Sequence, residues 1–143
     1  MYHHILVPVD GSEPSNAALR EALKLAREQG AKVCLTHVYE RIQHVVAEGA
    51  IDLTPALRRQ GEQLLEEALT RAREAGVEAT TALVAAGDRR IPAAIVDQAA
   101  AAGADLIAIG THGRRDFEHL ILGSVAEGVT RRAAIPVLLI HSR

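Results

Sequence analysis

Five short aliphatic runs, separated by long amphipathic stretches, constrain the architecture more than any other feature of this chain. Ile5-Leu6-Val7-Pro8-Val9, Lys32 to Tyr39, Val77 to Val84, Asp105-Leu106-Ile107-Ala108-Ile109 and Pro136-Val137-Leu138-Leu139-Ile140 have the length and composition of buried strands. Between most of them lie helical stripes. Ser12 is a natural N-cap for a helix from Pro14 to Gln29, with Ala18, Leu19, Ala22, Leu23, Leu25 and Ala26 on its apolar face and Gly30 as its stop. Thr54-Pro55 opens a helix to about Ala75, closed by Gly76, and Arg90 to Ala102 reads as a helix with Pro92 in its first turn. A last helix runs from Ser124 to about Ala134, interrupted by Gly128 at ~1 kcal/mol relative to alanine. Strands alternating with helices of crossover length give parallel pairing with right-handed connections. The pattern therefore predicts an α/β fold: a single doubly wound, Rossmann-like sheet of five parallel strands in the order 3-2-1-4-5, one domain over residues 1–143. The segment from Glu40 to Thr54 has no clean period, and Glu48-Gly49 within it suggests a mobile connection.

Composition narrows the partners. A hydrophobic fraction of 48% with only 2% aromatic residues is the Ala, Val, Leu and Ile mix that packs helices on a parallel sheet. Sixteen basic and 18 acidic residues, net −2, provide no basic footprint for nucleic acid. No apolar run approaches the ~18 residues of a membrane span, and the N-terminus Met1-Tyr2-His3-His4 has no leader character, so the expectation is a cytoplasmic protein away from membranes. The single cysteine, Cys34, lies in a strand-like run and reads as a small buried hydrophobe. The histidines show no metal-ligand spacing.

In open α/β sheets ligands bind beyond the carboxyl ends of the strands where the winding reverses, here between strands 1 and 4. Asp10-Gly11-Ser12 follows strand 1, and Gly110-Thr111-His112-Gly113 follows strand 4. The end of strand 2, at Val38 and Tyr39, borders the same crevice and is placed to cover a base. After nine intervening residues, Gly123-Ser124 opens the last helix, whose N-terminal amides favour an anion. Topology and composition nominate a nucleotide phosphate cradle from Gly110 to Ser124. Asp10 also has a plainer role open to it, as a cap for the first helix or its turn. There is no Walker lysine, no supported Ser-His-Asp arrangement and no carboxylate pair placed as acid and base, so rapid turnover is not indicated.

The runs Ile5 to Ser12, Asp105 to Arg114, Leu122 to Glu127 and Ile135 to Ile140 resemble the universal stress protein family, specifically its ATP-binding branch. That family's motif, G-x-x-G, nine residues, G-[S/T], is met by Gly110, Gly113, Gly123 and Ser124. The resemblance implies that Asp10 contacts the ribose and that Pro8, Val9 and Val38 line the adenine pocket, with Ile109 beside them. It implies that Gly110, His112, Gly113, Arg114, Gly123, Ser124 and Val125 wrap the phosphates of ATP, which brings Mg²⁺ with it. It further implies a homodimer through the last strand, Val137 to Ile140, and a stress-response or signalling role with at most slow ATP hydrolysis or autophosphorylation. Asp116 and Glu118 depart from the family pattern by placing carboxylates in the nine-residue loop. Pointing inward, they would leave a nucleotide-free dimerising scaffold of the same fold.

Overall fold

A computed structural model of the chain describes residues 1–46, 49–112 and 122–142, the side chains of residues 43–46 excepted. The sheet is built from β1 (His4–Pro8), β2 (Lys32–Tyr39), β5 (Ala79–Ala85), β6 (Leu106–Gly110) and β7 (Val137–Ile140). All its pairings are parallel, in the order β5-β2-β1-β6-β7, so the five strands stand third, second, first, fourth and fifth across the sheet, as the alternation of runs predicts. Helices α1 (Glu13–Gln29) and α2 (Thr54–Glu74) cover one face. There Ile5, Val7, Val33, Leu35, Leu106 and Ala108 pack under Ala18, Leu19, Ala22, Leu65 and Ala68. Helices α3 (Ile91–Ala101) and α4 (Ser124–Arg132) cover the other, over Leu6, Ile107 and Ile109.

The helix punctuation follows local chemistry. The Ser12 hydroxyl accepts the Ser15 N–H at the start of α1, and Gly30 ends the helix in the left-handed conformation at φ 68°. Two strand boundaries differ from expectation for stated reasons. Val77 belongs to the turn after α2, since its N–H donates to the Ala72 carbonyl, and β5 starts only at Ala79. Asp105 stands before β6 because its carboxylate is committed to the backbone N–H groups of His3 and His4, at 2.9 Å each for the shorter contacts. Cys34 is half-buried on the α3/α4 face, its Sγ 3.6 Å from Thr36 Oγ1.

Two departures are larger. The aperiodic segment after β2 carries an antiparallel hairpin, β3 (Gln43–Val46) with β4 (Gly49–Asp52), in register Gln43 to Asp52 and Val46 to Gly49. Its base is tied by the Leu53 N–H on the Ile42 carbonyl at 2.9 Å. The aperiodic connection thus carries regular structure that its sequence pattern does not show, because backbone pairing needs no apolar period. Gly128 is the second. A Cβ there would lie 2.6 and 2.7 Å from Pro92 Cγ and Cβ, so the glycine lets α4 approach the first turn of α3.

Candidate functional site

The site begins where the sheet stops being continuous. β1 follows β2 for five register positions but meets β6 only at Ile5 with Leu106 and Leu6 with Ile107. Beyond that pairing a crevice of about 120 Å³ opens between the carboxyl ends of the strands. Its size is close to the ~150 Å³ cavity that takes one benzene ring, which suits a flat aromatic group with the rest of a ligand outside. Pro8 and Val9 from the end of β1, Val38 from β2 and Ile109 from β6 give it apolar walls. Val125 from α4 also lines it, as do Asp10, Gly110 and His112. Eight residues nominated from the sequence thus border one cavity.

Asp10 does two things at once. One carboxylate oxygen, Oδ1, accepts the Ser12 N–H at 2.9 Å and the Ser12 hydroxyl at 2.5 Å, closing the turn that caps α1. The Asp10 N–H in turn donates to Ser15 Oγ at 3.0 Å. Oδ2 accepts no hydrogen bond among the described residues, and the side chain borders the crevice. Gly11 supplies the left-handed bend at φ 81° that this turn requires.

The second half of the site is the closure between β6 and α4. The Gly123 N–H donates to the Thr111 carbonyl at 2.6 Å, and the Thr111 N–H donates to the Ile140 carbonyl at 3.0 Å. These bonds hold the turn after β6 against the start of α4. Gly123 is the N-cap of α4 and, among the described residues, no side chain caps that helix; its first-turn N–H groups, on Ser124, Val125 and Ala126, have no intrahelical acceptor. At α1 the equivalent Ser15 N–H is taken by Ser12. Ser124 is exposed at the start of α4 and Gly123 is buried, neither lining the crevice itself. Gly113, Arg114, Asp116 and Glu118 lie outside the described residues.

Gly110 has a packing role that its motif position conceals. A Cβ on it would sit 2.6 Å from the Pro14 carbonyl oxygen, so only glycine lets the end of β6 pass the first turn of α1. Other lining residues were not singled out by the sequence. Ile91 and Ile95 come from one face of α3, Thr36 and His37 from β2, Ser15 from α1 and Ala126 from α4. The i, i+4 spacing of Ile91 and Ile95 marks a buried helix face, but nothing local says that this face reaches the switch point. His37 could have been found through Gly61, a glycine inside a long helix. A Cβ at Gly61 would lie 2.5 Å from His37 Cδ2. The His37 Nδ1 stands 2.7 Å from the Val9 carbonyl oxygen, which can only accept, so Nδ1 carries the hydrogen.

Residues 1–141 match the sequence profile described as the Universal stress protein family. The chain belongs to the universal stress protein family. It is 35% identical over 144 residues to Universal stress protein MJ0531 of Methanocaldococcus jannaschii, covering 98% of this chain and 82% of that one. A solved universal stress protein from Archaeoglobus fulgidus in complex with dAMP is 29% identical, with a TM-score of 0.71 over 97% of this chain and 98% of that one. A universal stress protein solved in complex with cAMP is 28% identical, with a TM-score of 0.71 over 98% and 97% of the two chains. Among the described residues of this universal stress protein no helix is long and apolar enough to cross a membrane.

Proposed function

We propose that this universal stress protein binds an adenine nucleotide, ATP with its Mg²⁺, in the crevice between β1 and β6. The observation that carries the proposal is the bond from Gly123 to Thr111, which brings the N-terminus of α4, capped by no side chain among the described residues, to the mouth of an apolar, ring-sized cavity. The base lies between Val9, Val38 and Ile109, and Asp10 Oδ2 accepts from the ribose hydroxyls. The phosphates rest on the amides of Ser124 and Val125, which the bond from Gly123 to Thr111 holds in place, with Gly110, His112, Gly113 and Arg114 completing the cradle. Complexes of family members with dAMP and cAMP support an adenine nucleotide as the ligand class. Mg²⁺ is held mainly by phosphate oxygens and water, which asks little of the protein beyond the Ser124 hydroxyl.

The role is that of a binding module in stress response or signalling, with at most slow hydrolysis or autophosphorylation, because positioning alone supplies part of phosphoryl-transfer chemistry. The module occupies residues 1–143, works in the cytoplasm and pairs through β7. Titration calorimetry with ATP and Mg²⁺ tests the site on the wild type and on Asp10→Ala and Gly123→Val. The expected result is saturable binding by the wild type, weakened roughly tenfold or more in both variants, as loss of hydrogen bonds to charged groups implies. Equal affinity in all three proteins would remove the crevice from consideration.

A further inference from the structure

The peptide group in front of Asp10 is held at both ends. Its carbonyl, on Val9, accepts the His37 Nδ1–H at 2.7 Å, and its N–H, on Asp10, donates to Ser15 Oγ at 3.0 Å. One anchor comes from β2 and the other from α1, so the plane of this peptide is fixed between two elements. The Val9 N–H adds a third tie, to the Thr36 carbonyl at 2.8 Å. β1 ends at Pro8, and these bonds take over where its ladder stops. The His37 ring is confined in turn. α2 passes it at Gly61, where a Cβ would lie 2.5 Å from His37 Cδ2, 2.8 Å from Leu83 Cδ1 and 3.2 Å from His37 Nε2. The end of a leucine can swing aside, whereas a ring tied through Nδ1 moves only by giving up Val9. Glycine is a poor helix former, and the room that it leaves for this ring accounts for its place inside α2.

We propose that His37 is a positioning residue of the nucleotide site: by clamping the peptide between Val9 and Asp10 it aims the Asp10 carboxylate, and so makes the site selective for ligands that carry ribose hydroxyls. Oδ1 of Asp10 is committed to the N–H and hydroxyl of Ser12. With the backbone and one oxygen fixed, a planar carboxylate leaves Oδ2 a single direction at the border of the crevice. A preorganised acceptor takes a hydroxyl donor without first ordering a side chain. Ser15 alone holds one end of the peptide, so loss of the His37 bond frees it to rotate and carries Oδ2 away from the ligand. The inference rests on the nucleotide reading and adds to it the residue, remote from the ribose, that sets this selectivity.

The test is titration calorimetry of the full chain with two probes, ATP and 2′,3′-dideoxy-ATP, each with Mg²⁺. The wild type prefers ATP by roughly tenfold or more, as hydrogen bonds to a charged group imply. His37→Leu removes the donor and fills the space. Its ATP affinity falls towards that of the dideoxy nucleotide, whose own affinity stays within about threefold of the wild-type value. A purely structural part would lower both ligands alike or leave both unchanged. His37→Asn restores the preference, because its amide nitrogen stands as many bonds from Cβ as Nδ1 does. Gly61→Ala loses the preference with His37 in place and keeps it when combined with His37→Asn, which has no ring to displace. In an Asp10→Ala background His37→Leu costs no further affinity, since both act on one contact. A cooperative melt certifies each variant as folded. Should His37→Leu melt without cooperativity, Gly61→Ala and its pairing with His37→Asn carry the same comparison. An unchanged preference in His37→Leu, or equal losses for the two nucleotides, would overturn the role of His37 and leave nucleotide binding standing. A wild type that binds both equally would remove the ribose contact from Asp10 and the positioning role with it. Binding of neither would overturn the nucleotide reading itself.

Discussion

Gly128 carries two opposed expectations, and magnitudes decide between them. As a helix-interior glycine it should gain ~1 kcal/mol on replacement by alanine. As the point where α4 meets Pro92, it has no room: the new methyl would stand 2.6 Å from a rigid ring carbon. Overpacking of this kind costs about 1–3 kcal/mol, so Gly128→Ala is expected to lose about 1 kcal/mol net in urea denaturation. Combining it with Pro92→Ala removes the ring, and the same substitution should then become neutral or stabilising. Asp105 carries a pH-dependent expectation. Partial burial pushes its carboxyl up, but amide hydrogen bonds from His4, His3 and its own N–H, with the His3 charge, outweigh this and hold it below the ordinary aspartate value. A carboxylate depressed in the folded state adds stability that is complete above the unfolded-state value and lost as pH falls through the folded one. Asp105→Asn should therefore lose about 1 kcal/mol near neutrality, discounted for solvent, and should narrow its deficit against the wild type in acid melts below the ordinary aspartate range. A constant difference across pH would remove the carboxylate as the cause.

At the scale of elements, the hairpin β3–β4 stands out because residues 49–52 are exposed throughout and Ile51 is 49% exposed. An isolated two-stranded hairpin is marginally stable, and its second strand buries no side chain. Replacing residues 43–52 by a short Gly-Ser loop should change thermal stability little, since loop-closure entropy varies by only ~0.6 kcal/mol per doubling of length. A large loss in calorimetric melting would mean that the hairpin supports the sheet. The same hairpin shows where sequence legibility ends. The sheet strands and the four helices announce themselves through continuous aliphatic runs, as in Leu106 to Ile109, or through burial on a period of 3.6, as in Leu19, Leu23 and Ala26. Gly49 to Asp52 is exposed throughout, so this strand left no periodic apolar trace. Within the site, Asp10 and Gly123 were legible because turn and cap chemistry is local. Ile95 and His37 were not, because they reach the crevice only through the packing of α3 and α2.

At the scale of the whole molecule, the two sheet edges differ. β5 exposes Thr80 and Thr81, whereas β7 exposes Leu138 at 39% and keeps Val137 and Leu139 only half-buried. An aliphatic edge with an open ladder is a pairing surface, and two copies related by a two-fold axis would cover each other's edge. Hydrogen bonding along β7 supplies a selective test. Ile107 donates to the Pro136 carbonyl and Thr111 to the Ile140 carbonyl, so residues 136, 138 and 140 turn their backbone groups towards β6. By alternation Val137 and Leu139 turn theirs outward. Proline at 139 deletes an outward N–H and leaves the β6 ladder intact, a substitution tolerated on edge strands. In light scattering coupled to size exclusion, the wild type should run as a dimer. Leu139→Pro should run as a monomer that still binds ATP within about threefold of the wild type, since the crevice shares no residue with the outward edge. A Leu139→Pro protein that remains dimeric would move the interface away from β7. Loss of ATP binding together with the dimer would instead mean that the partner copy completes the phosphate cradle.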